Sequence, residues 1–183
     1  PKTPKPHTFR IMIMKYTAAD LRQIKNHGNQ HFERNDLFEA IKTYMRGLDM
    51  CKDYADETNG ILPQKLEFTD QAELTGGLMY IQEFYRLKAI IHNNMASCFL
   101  RLNKVLEADK HCDMAIMEDP DYGKATYRKC QILQKTGDYT RAKELAVGAI
   151  KQYSHELEDD ESNRKTVPQF QKLVEKLEEQ IPF

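Results

Sequence analysis

A chain of 183 residues is long enough for one domain with tails, and 40% hydrophobic against 30% charged residues is the balance of a water-soluble globular protein. Its 27 Lys and Arg nearly cancel 28 Asp and Glu, leaving a formal net charge of −1 and no bulk attraction to nucleic acid or an anionic membrane. No apolar run reaches the roughly 20 residues that cross a bilayer, and four scattered cysteines without a CxxC pair suit reduced, partly buried thiols in a cytosolic compartment.

Residues 1–16 are expected to lie outside the main domain. PKTPKPHT is rich in Pro and Lys and reads as a linker. In FRIMIMKY, Phe9, Ile11 and Ile13 alternate with Arg10, Met12 and Met14, the period-two pattern of a strand. A lone strand has no partner, so it reads as the remnant of an upstream domain, and a disordered or helix-packing tail fits equally. A start at Pro1 without Met is what a fragment of a longer chain would show.

From Thr17 the pattern is helical, with Thr17-Ala-Ala-Asp20 as a capped start. The main organising feature is an internal repeat. Val105, Ala108, Ala115 and Ile116 recur 34 positions later as Tyr139, Ala142, Ala149 and Ile150, and Phe99 pairs with Leu133 at the same spacing. Leu37, Ala40 and Leu48 precede Val105, Ala108 and Ile116 by 68, twice that period. Such a period belongs to stacked helix–turn–helix units. The small residues Ala40, Ala108 and Ala142 are expected where paired helices approach closely. Asn35-Asp36 and Gly137-Asp138 supply turns, because Asn and Gly tolerate left-handed backbone. Pro120 stops the helix before it.

The domain is placed at 17–152, with repeats at about 21–54, 89–122 and 123–154 and an insertion at about 55–88. The insertion carries a loop at Asn59-Gly60-Ile61-Leu62-Pro63 and a breaker at Gly76-Gly77. A long helix, Leu78–Leu102, follows. Residues 153–183 comprise an acidic loop, Glu156–Glu161, and a last helix from Pro168 to Glu179. The helix's Phe170, Leu173, Val174 and Leu177 share one face and cap the stack. The expected fold is all-α, a right-handed superhelix of three helix pairs plus a C-terminal capping helix.

The 34-residue period with this Gly/Ala/aromatic pattern resembles the tetratricopeptide-repeat (TPR) family over residues 20–152. The segments Lys25-Asn-His-Gly-Asn29, His92-Asn-Asn94-Met-Ala-Ser-Cys-Phe99 and Gly123-Lys124-Ala-Thr-Tyr-Arg128 are similar to the carboxylate-clamp repeats of co-chaperones. In that subgroup the clamp is a Lys and an Asn four apart on the first helix, an Asn on the third, and a Lys and an Arg four apart on the fifth. The matching residues are Lys25, Asn29, Asn94, Lys124 and Arg128. Arg101 is a further candidate contact. The interrupting insertion and lengthened helix resemble the large FK506-binding immunophilins and the aryl-hydrocarbon-receptor-interacting protein group, in which a prolyl-isomerase-type domain precedes the repeats.

The residue chemistry fits a clamp independently of the resemblance. Residues i and i+4 share a helix face, so Lys25 with Asn29 and Lys124 with Arg128 each aim two donors one way. Arg grips an oxyanion bidentately, Lys serves as a movable point charge, and Asn donates and accepts at once. The resemblance implies that the chain binds the C-terminal Glu-Glu-Val-Asp tail of heat shock protein 90, and by extension that of heat shock protein 70, in the cytoplasm or nucleus. No nucleic acid, membrane, metal or cofactor is expected. His27 and His31, four apart, have metal-ligand spacing but no third ligand nearby. The sequence holds no phosphate-cradling Gly loop or Ser-nucleophile motif, and no Cys–His pairing can be placed from it, so the chain itself is expected not to be an enzyme. The rival reading is a TPR scaffold that binds an internal segment of another partner, or the targeting arm of a full-length prolyl isomerase.

Overall fold

The computed structural model describes residues 18–57, 71–155 and 161–181, and among them every regular element is an α-helix. In chain order these are α1 (Ala18–Glu33), α2 (Leu37–Glu57), α3 (Gln71–Arg101), α4 (Val105–Glu118), α5 (Gly123–Lys135), α6 (Tyr139–His155) and α7 (Glu161–Glu178). They fall into two compact units, one ending at Leu87 and one beginning at Lys88. In the first, α1 packs on α2, and Arg22 of α1 pairs with Glu83 of α3. In the second, α4 packs on α5, α5 on α6, and both α5 and α6 on α7.

Three turns built on one plan join the two helices of each pair. Asn35 (φ 62°), Asn103 (φ 59°) and Gly137 (φ 84°) each take left-handed backbone. At each turn the next residue's N–H reaches back to a helix carbonyl: Asp36 to His31 (2.9 Å), Lys104 to Phe99 (2.8 Å) and Asp138 to Leu133 (2.9 Å). The left-handed residues bond Phe32, Leu100 and Gln134 in the same way, completing the double closure of a Schellman cap. Each turn then launches the second helix, as Ala40, Ala108 and Ala142 donate to Asp36, Lys104 and Asp138. Asn103, which sequence reading did not single out, occupies the equivalent turn position, two periods after Asn35 and one before Gly137.

Where paired helices cross, small residues face partners of compensating size. Ala40, Ala108 and Ala142 are fully buried, as expected. One turn position further into the pairs, Gly28 lies against the ring of Tyr44. The residues 68 and 102 positions after Gly28 are Ala96 and Cys130. Ala96 packs in a cluster with Cys112, and Cys130 in one with Ala146. The first-helix residue grows from Gly to Ala to Cys as the second-helix partner shrinks from Tyr44 to Cys112 to Ala146, so that the crossing stays filled.

α7 closes the second unit as its apolar face predicts. Phe170, Leu173 and Leu177 are buried against Cys130, Leu133, Ala146 and Tyr153, and Val174 packs at the margin. Tyr127 meets Phe170 edge to face with centroids 5.4 Å apart. Each large apolar side chain buried here contributes about 1.5–3 kcal/mol, which fixes the helix despite its polar outer face.

Two helix starts differ from the sequence expectation. α3 begins at Gln71 rather than Leu78, so Gly76-Gly77 lies inside a helix instead of breaking it. A glycine costs a helix only about 1 kcal/mol relative to alanine, which a 31-residue helix with continuous hydrogen bonding absorbs. α7 begins at Glu161 rather than Pro168, which becomes an internal residue. Pro168 is exposed while Thr166 and Val167 are buried, so tertiary packing holds the turn that proline would otherwise end. The strand pattern at Phe9–Met14, the loop at Asn59–Pro63 and most of the acidic run lie outside the described residues.

The second unit also contains a pair of histidines. Nδ1 of His92 on α3 lies 3.0 Å from Nδ1 of His111 on α4, and Phe99 stacks on the His111 ring. Such a contact needs one protonated and one unprotonated nitrogen. Burial pushes the His111 pKa below its ordinary 6.5. The unfolded chain therefore takes up a proton at a higher pH than the folded one. The stability this buried neutral ring contributes is present above about pH 6.5 and is lost as pH falls through the folded value. The thermal midpoint should fall between pH 7.5 and pH 5.5, and His111→Phe should flatten the change. Equal slopes for parent and variant would assign the pH dependence elsewhere.

Candidate functional site

In the first unit, Lys25 and Asn29 sit four residues apart on α1, both half-buried. Gly28, one residue before Asn29, lets Tyr44 of α2 come against the α1 backbone. The Tyr44 hydroxyl then donates to Asn29 Oδ1 at 2.6 Å, which turns the amide oxygen toward α2. Lys25 has no ion-pair or hydrogen-bond partner among the described residues.

In the second unit, α3 supplies Asn94 and α5 supplies Lys124 and Arg128, four apart on one face. Lys124 is exposed in the first turn of α5 and has no partner among the described residues. That turn contains no acidic residue, so the lysine adds to the positive end of the helix dipole instead of neutralising it. Arg128 is held differently. Its Nη1 donates to the backbone carbonyl of Asn93 at 3.0 Å and also to the Asn93 side-chain oxygen. Burial lowers its pKa, which expresses the cost of placing a guanidinium here, since arginine does not give up its proton in proteins. Asn93 in turn donates from Nδ2 to the Tyr122 hydroxyl at 3.3 Å. Arg101, two turns along α3 from Asn94, is exposed.

Asn93 and Tyr122 were not singled out from sequence. Asn93 stands beside Asn94 but about 100° round the helix, so i,i+4 reasoning passes over it. The only available cue was a second asparagine directly beside the first.

Other candidates take structural positions. His27 and His31 line an open cleft with Ile24, Phe38, Ile41 and Met45. No group of three or more His, Cys, Asp or Glu able to hold a metal occurs among the described residues. Cys98, Cys112 and Cys130 are buried, with thiol pKa values pushed up by burial to about 11, 12 and 12. Thiols held protonated in this way are poor nucleophiles. Among the described residues no helix is long and apolar enough to cross a membrane.

No family profile matches the chain. RNA polymerase II-associated protein 3 of Xenopus laevis is 29% identical over 153 residues, which cover 84% of this chain and 17% of that protein. The chain spans between 10% and 17% of the length of the curated relatives compared. Among solved structures, the C-terminal TPR-containing domain of a putative FK506-binding protein from Plasmodium falciparum is similar with a TM-score of 0.52 and 23% identity, over 91% of this chain and 97% of that one. The first TPR of Spaghetti (RPAP3), solved bound to the HSP90 peptide SRMEEVD, is similar with a TM-score of 0.51 and 18% identity, over 87% and 99% of the two chains. These likenesses show the fold: the chain is built as a tetratricopeptide-repeat domain.

Proposed function

We propose that this chain is a co-chaperone module that binds the free C-terminal Glu-Glu-Val-Asp segment of heat shock protein 90, with Lys25, Asn29, Asn94, Lys124 and Arg128 as the peptide ligands. The observation that carries this reading is Arg128. Its guanidinium is secured through Nη1 alone, and its Nε and Nη2 donors meet no acceptor among the described residues. A half-buried cation with a donor edge unused is poorly compensated by the protein itself, and a carboxylate would satisfy it in the side-on, two-bond geometry that arginine favours. Lys124 supplies a second unpaired charge one turn away. The binding partner of the similarly folded first TPR of Spaghetti (RPAP3), a peptide ending in EEVD, has the chemistry this arrangement calls for.

Calorimetric titration with a Glu-Glu-Val-Asp peptide, as free acid and as C-terminal amide, tests the proposal. The free acid should bind with micromolar affinity, about −8 kcal/mol, and the amide at least tenfold more weakly because one carboxylate is gone. Added salt should weaken binding without abolishing it, since charges beyond about 8 Å are screened at physiological ionic strength while hydrogen bonds persist. Equal affinity for the two forms would rule out a clamp and favour a scaffold that takes an internal segment.

A further inference from the structure

Asn93 is among the most deeply buried polar side chains of the second unit, with 3% of its surface exposed. A buried amide is costly unless both its ends find partners. Its nitrogen faces the Tyr122 hydroxyl (3.3 Å), and its oxygen faces Arg128 Nη1. The two ends cannot be exchanged, because an NH2 group against a guanidinium sets donor against donor. Its backbone carbonyl accepts from the same Nη1 (3.0 Å) and from Ser97 Oγ (3.2 Å). Tyr122 is itself buried and immediately precedes α5. One side chain thus ties α3 to the helix that carries Lys124 and Arg128.

We infer that Asn93 is a positioning residue that locks the Arg128 guanidinium with its Nε–Nη2 edge presented to an incoming carboxylate. The inference rests on the reading of Arg128 as a carboxylate ligand. Both Nη1 hydrogens are engaged by the two oxygens of Asn93, so the guanidinium plane cannot rotate about its long side chain. A ligand then meets donors already in place and loses less conformational freedom on binding. A neutral amide also does what a carboxylate in the same position could not: it holds the half-buried cation through Nη1 while leaving its charge uncancelled.

Asn93→Leu removes the acceptor, and Asn93→Asp keeps the shape but places a negative charge against Arg128. The free-acid peptide should bind about tenfold more weakly to the Leu variant and at least thirtyfold more weakly to the Asp variant, while the already weak amide changes little. In an Arg128→Ala background, Asn93→Leu should have no further effect on affinity. A merely structural role predicts the same loss in both backgrounds, and that result would overturn the inference. Should Asn93→Leu fail to fold, the near-isosteric Asn93→Asp carries the same cycle. The Arg128 side-chain NMR signals give a readout that needs no peptide. Hindered rotation of the guanidinium in the parent and its release in Asn93→Leu are expected, and a guanidinium equally mobile in both would overturn the inference. Locked Arg128 signals in a parent that does not prefer the free acid would instead remove the clamp reading alone.

Discussion

Arg128→Ala should weaken binding of the free-acid Glu-Glu-Val-Asp peptide by about thirtyfold, the roughly 2 kcal/mol expected when a partly desolvated charge partner is removed. Lys124→Ala should approach the same loss, since the two residues lie on one face of α5. Their effects on the fold should differ. Lys124 is exposed, and its truncation should stay within about 0.5 kcal/mol of parental stability. Arg128 donates to the carbonyl and the amide oxygen of Asn93. Its removal leaves the buried Asn93 amide oxygen without its donor, while the carbonyl keeps Ser97 Oγ, and should cost about 1–3 kcal/mol of stability. Paired melts and titrations separate the two losses. Parental affinity in Lys124→Ala would mean that this face of α5 does not meet the peptide. Arg128→Lys is informative as well: it keeps the charge but cannot hold Asn93 and offer a two-bond edge at once, so it should recover only part of the binding.

The turns and small crossing residues were legible because each follows from backbone geometry or steric volume that a single residue type announces. Asn35 and Gly137 advertise left-handed backbone, and Ala40, Ala108 and Ala142 advertise close approach. Their 34-residue spacing made each mark reinforce the others. Helix starts were less legible where packing outweighed local preference. Gly76-Gly77 and Pro168 carry breaking signals worth a few kcal/mol at most, and α3 and α7 run through them. The candidate ligands could be picked out by type and register. Their support could not be, because it runs between residues distant in sequence. Asn93 meets Arg128 across 35 positions and Tyr122 across 29, and no periodicity links them. The same is true of His92 and His111, whose contact depends on the register of α4 against α3.

Gly28→Ala should destabilise the first unit by about 2–3 kcal/mol, although alanine is the better helix former by about 1 kcal/mol. A Cβ on Gly28 would fall 2.2, 2.6 and 2.7 Å from three ring atoms of Tyr44. Tyr44 is 1% exposed, and its hydroxyl is bound to Asn29, so the ring has little room to withdraw. Relief requires the helices to separate or the tyrosine to leave Asn29, and either response reaches the candidate ligand next in sequence. Gly148→Ala is the matched control. Gly148 is a helical glycine with nothing within 4 Å of its added Cβ, so the same substitution should be neutral or stabilising there by up to about 1 kcal/mol. The second repeat suggests the rescue, since Ala96 and Cys112 fill the same crossing with a different division of volume. Tyr44→Cys alone should leave a cavity and cost about 3–5 kcal/mol, by analogy with other aromatic truncations. Gly28→Ala combined with Tyr44→Cys should be less destabilised than the sum of the two single variants, because the methyl enters space the ring has vacated. Thermal melts of the four proteins test this. Additive losses, or a Gly28→Ala variant as stable as the parent, would show that the ring can move aside and that volume matching does not govern the crossing.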